Sequence, residues 1–135
     1  MDQAALVRQG HALVDLMDAE HIAPAFVMWV YSEDAGIWRL WVVPPTSLQD
    51  IHAFYRRISK LLTDHKSAAF GLEASDVELV KGDHPAVASV SRALPIQGKS
   101  VVRLSNNWVD GFFIPDGILL RTREPVLPDR QPSRA

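Results

Sequence analysis

The stretch of sequence that decides the fold is residues 25–43, which read AFVMWVYSEDAGIWRLWVV. It contains two runs of β-branched, aromatic and aliphatic residues, separated by turn-forming residues 32–36 that end in glycine. This pattern predicts a β-hairpin, and Pro44-Pro45 ends its second strand because proline cannot donate a hydrogen bond to a sheet. Since both strands are apolar at nearly every position, both faces of the hairpin must be at least partly covered.

An amphipathic helix is predicted on the N-terminal side of the hairpin, at residues 3–20, because its apolar side chains fall on one face at helical spacing. Gly10 lies within that apolar arc. Glycine costs up to about 1 kcal/mol relative to alanine inside a helix. We therefore expect another backbone to approach the helix closely at Gly10.

A second amphipathic helix is predicted after the hairpin, where apolar residues between 48 and 62 fill an arc about 140° wide. Its start carries two candidate capping boxes, Thr46 with Gln49 and Ser47 with Asp50. An arc of this width is suited to packing on a sheet, so we expect this helix to cover one face of the strands.

The second half of the chain predicts one more helix and four more strands. The strands are at residues 77–80, 101–105, 109–114 and 117–121. Turn-forming residues, Asn106-Asn107 and 115–117, separate the last three strands. The helix begins after Asp83, the expected N-cap, and ends before Pro95.

The resulting order, α-β-β-α-β-α-β-β-β, predicts an α+β fold with an antiparallel sheet of about five to six strands and about three helices. Residues 1–122 are expected to form a single domain. Residues 123–135, rich in proline and arginine, have little to bury and are expected to form a C-terminal tail.

Three segments carry a resemblance to known proteins. The hairpin with its acidic turn, Tyr55-Arg56-Arg57-Ile58 and Leu104-Ser105-Asn106-Asn107 resemble a group of short prokaryotic proteins with no assigned function, over most of residues 4–122. The opening helix and strand pair are more weakly similar to GAF, PAS and profilin-like domains, which is an analogy of fold. None of these motifs is a catalytic signature, so the resemblance implies no active-site residue.

Composition and charge weaken several functions. The formal net charge is −2, so general nucleic-acid binding is not expected. With no cysteine and no paired spacing among the five histidines, we expect no metal and no cofactor. The first ten residues lack the pattern of a secretory signal, and Pro24 interrupts the longest apolar run. These features predict a cytoplasmic location and no membrane association.

Catalytic motifs are weakly represented. The sequence contains no G-x-S-x-G or S-x-x-K motif and no glycine-rich phosphate loop. Asp83 and His84 could form an acid–base pair, although the predicted capping role of Asp83 explains the same residues. An enzyme of unknown class therefore remains an alternative, more weakly supported than a protein without catalytic activity.

The four tryptophans are the most distinctive feature. Trp38 and Trp41 are three residues apart on one strand, so their side chains lie on opposite faces. One of them must be covered by the first helix, the third helix, the tail or a partner. The residues predicted for a protein interface are Trp38, Trp41, Asn106, Asn107 and Trp108.

The function predicted from these features is a small cytoplasmic protein-binding module, a non-catalytic subunit or accessory factor that binds another protein or a second copy of itself. The alternative is a GAF- or PAS-like sensor. Its small-molecule ligand would occupy a pocket between the sheet and the helix at residues 48–62.

Overall fold

The computed structural model describes residues 2–124. They form an α+β fold, which confirms the fold class predicted from the sequence. The helices are α1 (Gln3–Ala19), α2 (Ile51–Asp64) and α3 (Pro85–Ala93). The strands are β1 (Phe26–Ser32), β2 (Ile37–Val43), β3 (Val77–Leu79), β4 (Val102–Val109) and β5 (Phe112–Arg121). A 3-10 turn at Ala74–Asp76 leads into β3.

The five strands form one sheet in the order β3-β2-β1-β5-β4. Neighbouring strands are antiparallel except β2 and β3, which pair in parallel from Leu40 opposite Val77 to Val42 opposite Leu79. The prediction of a purely antiparallel sheet is therefore wrong at this pair. The cause is the connection through α2, because a strand that returns by a helical crossover lies parallel to the strand it left.

The last two predicted strands are a single strand, β5. The hairpin turn between β4 and β5 is Asp110-Gly111, with φ values of 50° and 82°. Positive φ at both central residues is typical of the tight turns that join antiparallel strands. Both predicted turns are wrong, because Asn106 adopts a φ of 51° within β4 and faces Pro115 within β5. Pro115 is tolerated there because the pairing of β5 with β1 begins only at Gly117.

Helix α1 confirms the predicted amphipathic helix, and Gly10 is tightly packed within it. A Cβ atom at Gly10 would collide with Cδ1 of Leu120 and lie 3.1 Å from Nε1 of Trp29. The indole N–H of Trp29 donates to the carbonyl of Leu6, at 2.7 Å. The expected close approach at Gly10 therefore exists, but it is made by side chains of the sheet and not by another backbone.

Helix α2 begins later than its two candidate capping boxes suggest. Asp50 is the N-cap, and its carboxylate accepts a hydrogen bond from the N–H of Ala53, at 3.1 Å. The residues before it form a separate turn, in which the N–H of Leu48 donates to the carbonyl of Pro45. The first predicted box does not form, because the N–H of Thr46 donates to Glu124 and the side-chain amide of Gln49 donates to the carbonyl of Pro45. The helix therefore begins at Ile51.

The sheet separates two apolar cores. Helices α1 and α2 cover one face, here called the α1–α2 face, with a core that includes Leu13, Trp29, Phe54, Ile58 and Leu120. Helix α3 covers the opposite face, here called the α3 face, with a core that includes Met28, Trp41, Val87, Val90 and Leu119. The apolar pattern on both faces of the hairpin is therefore explained by cover from within the chain.

A β-bulge positions a buried ion pair that the sequence does not reveal. The register of β5 against β1 shifts between Val27 and Met28, so Leu120 and Arg121 both lie near Val27. The guanidinium of Arg121 is 2% exposed, and two of its nitrogens donate to the carboxylate oxygens of Asp18, each at 2.8 Å. This bidentate pair fastens the end of α1 to the sheet.

The C-terminal end of the described chain lies against the segment before α2. The carboxylate of Glu124 accepts a hydrogen bond from the N–H of Thr46, at 2.8 Å. Residues 125–135, most of the predicted tail, lie outside the described residues. Within residues 2–124, no helix is long and apolar enough to cross a membrane.

Candidate functional site

The end of the β4–β5 hairpin, residues 106–115, bends across the α3 face. The ring centroids of Phe112 in β5 and Trp41 in β2 are 5.5 Å apart, although β1 lies between these strands. Phe112 and Ile114 belong to the same core as Leu119, so the alternation of side chains along β5 reverses between them. The reversal coincides with Pro115 and with the positive φ of Asn106 opposite it, which together locate the bend.

Three rings meet under this bend. The centroids of Trp41 and His84 are 5.0 Å apart, and those of His84 and Phe112 are 5.1 Å apart. Trp41 is 6% exposed, so α3 and the hairpin end together cover it. The cover that the sequence requires for this tryptophan is therefore intramolecular.

His84 is the N-cap of α3, and its ring nitrogen Nδ1 accepts a hydrogen bond from the N–H of Ala86, at 3.1 Å. The prediction of Asp83 as the cap is wrong by one residue. The same hydrogen bond occupies Nδ1 of His84, so an acid–base role for the Asp83-His84 pair would have to use Nε2 of the ring. Pro85 follows directly as the first helical residue, where its missing N–H has no cost.

A cleft of about 290 Å³ opens between the hairpin end and the turn that joins β1 to β2. We call it the Arg39 cleft. Strand residues on its lining are Val30, Tyr31, Ser32, Arg39, Trp41 and Glu78, and the β1–β2 connection adds Glu33 and Asp34. The hairpin end contributes Phe112, Phe113 and Pro115. The cleft thus combines aromatic surface with one guanidinium and three carboxylates.

The Nε atom of Arg39 is buried and has no hydrogen-bond partner among residues 2–124. None of the carboxylates that share its cleft forms an ion pair with it within that part of the chain. Sequence reasoning missed this residue. The signal that could have found it is a single charge inside an apolar strand, IWRLWVV, where every neighbour is aliphatic or aromatic.

The structure divides the five predicted interface residues between three places. Trp41 lies in the core of the α3 face, so it does not contribute to an exposed surface. Trp38 is half-buried on the other side of β2, where it packs against the α1–α2 core and its ring lies 5.4 Å from that of Tyr31. This arrangement confirms that the two tryptophans lie on opposite faces.

Asn106, Asn107 and Trp108 lie together on the hairpin end. Asn106 is exposed and Asn107 is half-buried. Trp108 is 72% exposed, and its ring centroid lies 4.9 Å from that of Phe113. The reversal of the strand faces at the bend explains this exposure, because it places Val109 against the core.

Within the described chain, no group of three or more histidine, aspartate or glutamate side chains is arranged to hold a metal ion. The absence of a metal or cofactor stays a prediction from the sequence. A scan against protein-family models, a search of curated proteins and a search of solved structures each found no match. The function is therefore argued from the geometry of the hairpin end and the Arg39 cleft.

Proposed function

We propose that this chain is a small cytoplasmic protein-binding module, a non-catalytic subunit or accessory factor, which contacts its partner through the end of the β4–β5 hairpin. The observation that carries the proposal is the exposure of Trp108, 72%, in a chain whose Trp29 and Trp41 are buried. Tryptophan is enriched among the residues that dominate binding energy at interfaces. Contact with the Phe113 ring, which is tilted by 41° against the indole, restricts the indole before a partner arrives.

The position of Trp108 on an edge strand supports the same proposal. Within residues 2–124, strand β4 has a strand neighbour on one side only, so backbone groups on its outer side are available to a partner. Asn106 and Asn107 add amide donors and acceptors next to the aromatic ring. An aromatic anchor with a polar rim is the usual composition of a small interface.

The test is affinity purification of the tagged chain from its own cells, followed by mass spectrometry and by light scattering of the purified complex. Trp108→Ala should abolish co-purification of the partner, or of a second copy, and leave the melting temperature within a few degrees, because an exposed ring contributes little to the core. The matched control is Phe70→Ala, which removes another exposed aromatic, 56% accessible, from the segment after α2.

The proposal fails if Trp108→Ala retains the partner as well as the parent does. It also fails if the parent remains a monomer that retains no protein. Loss of the partner in both Trp108→Ala and Phe70→Ala would indicate nonspecific binding through exposed aromatic side chains. That result would also contradict the proposal that the hairpin end is the binding surface.

A second candidate function, a small-molecule sensor, is favoured by the Arg39 cleft. The pocket expected between the sheet and the second helix is filled by the α2 side chains Phe54, Ile58, Leu61 and Leu62, all of them buried. Open space remains between α2 and β3 at the edge of the sheet, and the Arg39 cleft adds space on the opposite face. An enzyme gains no such support, since the described residues include no buried aspartate or glutamate.

A further inference from the structure

We propose that the Arg39 cleft binds a free amino acid with an apolar side chain. The carboxylate of the ligand would bind Arg39, its ammonium group would face the carboxylates of the cleft, and its side chain would lie against the aromatic wall. This inference is independent of protein binding by the hairpin end.

Arg39 provides the first part of the argument. Its buried Nε has no partner among the described residues, and a buried N–H without an acceptor is unfavourable to the folded chain. Nε has almost no accessible surface, whereas the Arg39 side chain as a whole is half-buried and lines the cleft, so its terminal nitrogens are the donors that a ligand can reach. These two nitrogens form an edge on which a guanidinium receives a carboxylate through two parallel hydrogen bonds. A ligand carboxylate would therefore bind at the terminal nitrogens and neutralise the charge that the protein leaves unpaired.

Among the described arginines, only Arg39 has a buried guanidinium nitrogen without a partner, since the others without an ion pair are exposed. Arg121 is paired with Asp18, and Arg103 is paired with Asp116 at 3.0 Å. Arg39 shares its cleft with Glu33, Asp34 and Glu78, yet it forms no ion pair with any of them. The opposite charges are close enough to line one cavity and separate enough to leave room between them.

The balance of charge in the cleft selects the class of ligand. The cleft is lined by three carboxylates and one guanidinium, so a simple anion such as phosphate would be repelled by the net negative charge. A simple cation would leave Arg39 unsatisfied. A zwitterion matches both groups, because its carboxylate and ammonium are carried on the same carbon atom.

Size and surface narrow the ligand further. The volume of about 290 Å³ is at the lower limit of small-ligand sites, which is about 300 Å³. Such a cleft suits one amino acid better than a nucleotide or a peptide. The rings of Trp41 and Phe112, which line the cleft on the α3 face, favour an aliphatic or aromatic side chain.

The experiment is calorimetric titration of the purified full chain with L-phenylalanine, L-leucine and L-tryptophan at millimolar concentration. At least one should bind with one ligand per chain. For that amino acid, the amide, which lacks the carboxylate, and the deaminated acid, which lacks the ammonium, should each bind about tenfold more weakly or worse.

Variants test whether the binding occurs in this cleft. Arg39→Gln and Glu78→Gln should each weaken binding by about tenfold or more. The matched control is Arg92→Gln, because Arg92 is an exposed residue of α3 whose guanidinium contacts only Ser89 among the described residues. Thermal melts establish that each variant is folded. If Arg39→Gln does not fold, Glu78→Gln decides the question, since Glu78 is exposed.

Three results would overturn the proposal. The first is the absence of binding by all three amino acids. The second is an amide or deaminated analogue that binds as tightly as the parent amino acid. The third is unchanged affinity in a folded Arg39→Gln or Glu78→Gln variant.

Discussion

The two faces of the sheet are built differently. Two helices, of 17 and 14 residues, cover the α1–α2 face, and its only buried indole N–H, that of Trp29, has a carbonyl partner within the described chain. The α3 face is covered by one helix of 9 residues and by the bent end of a hairpin. That second cover leaves the Arg39 cleft open and leaves Nε of Arg39 without a partner in residues 2–124.

This difference separates stability from function. A face that is closed by long helices gains its free energy from apolar burial, and changes there should unfold the chain. A face that retains a cleft and an unpaired donor is less well optimised for stability, a common property of binding sites. The substitutions below test this division, beginning with the largest expected effect.

Ile58→Asp should cost about 4 kcal/mol or more of the free energy of unfolding. Ile58 is fully buried between α2 and the sheet, so the substitution places an unpaired carboxylate in the core of the α1–α2 face. Urea denaturation followed by circular dichroism measures the change.

The control for this substitution is Ile51→Asp in the first turn of the same helix, because Ile51 is 36% exposed and the charge can reach water. It should leave stability within about 1 kcal/mol of the parent. Equal urea midpoints for Ile58→Asp and the parent would show that α2 does not pack on the sheet as described.

Asp18→Asn should cost about 2 to 3 kcal/mol, because it leaves the buried guanidinium of Arg121 without its counter-charge. The expected cost is below that of a fully buried pair, since the Asp18 side chain is 34% exposed. Asp15→Asn is the matched control on α1, where Asp15 pairs with Lys99 on the surface. Urea melts in which the two variants are equally stable would contradict a structural role for the buried pair.

The elements that the sequence predicts well are those set by local pattern. The first hairpin, α1 and α3 follow from alternation, helical spacing and proline positions, and the structure has them within a few residues. The parallel pairing of β3 depends on where a crossover returns, which local pattern does not contain. The turn at Asp110-Gly111 does have a strong sequence signal, which was obscured by the asparagines and the proline on either side.

The candidate site divides in the same way. Trp108 is among the residues predicted for an interface, but its exposure follows from the reversal of strand faces at the bend, which the spacing of the tryptophans does not contain. The Arg39 cleft could not be predicted, because it exists only where the bend carries Phe112 across β1 to Trp41. The capping role of His84 was hidden by Asp83, since aspartate is the stronger capping residue in isolation.

Gly10→Ala should cost about 1 to 2 kcal/mol, although alanine is the better helix former. The added Cβ would displace Leu120 and crowd the Trp29 ring on the fully packed α1–α2 face. Gly98→Ala is the control, because a Cβ at Gly98 meets no atom within 4 Å. Thermal melts should show a lower melting temperature for Gly10→Ala only. A stabilised Gly10→Ala variant would mean that this face has more free space than the structure shows.

The smallest expected effect concerns the α3 face and distinguishes the two neighbouring candidates for its helix cap. His84→Ala should cost about 1 kcal/mol, because it removes the acceptor for the N–H of Ala86. Asp83→Ala should change stability by less than about 0.5 kcal/mol, since Asp83 is exposed and precedes the cap.

His84→Asn separates capping from ring packing, because asparagine retains a capping oxygen but removes the contacts with Trp41 and Phe112. Urea melts should therefore place it between His84→Ala and the parent. A larger loss of unfolding free energy in Asp83→Ala than in His84→Ala would show that Asp83, and not His84, is the N-cap of α3.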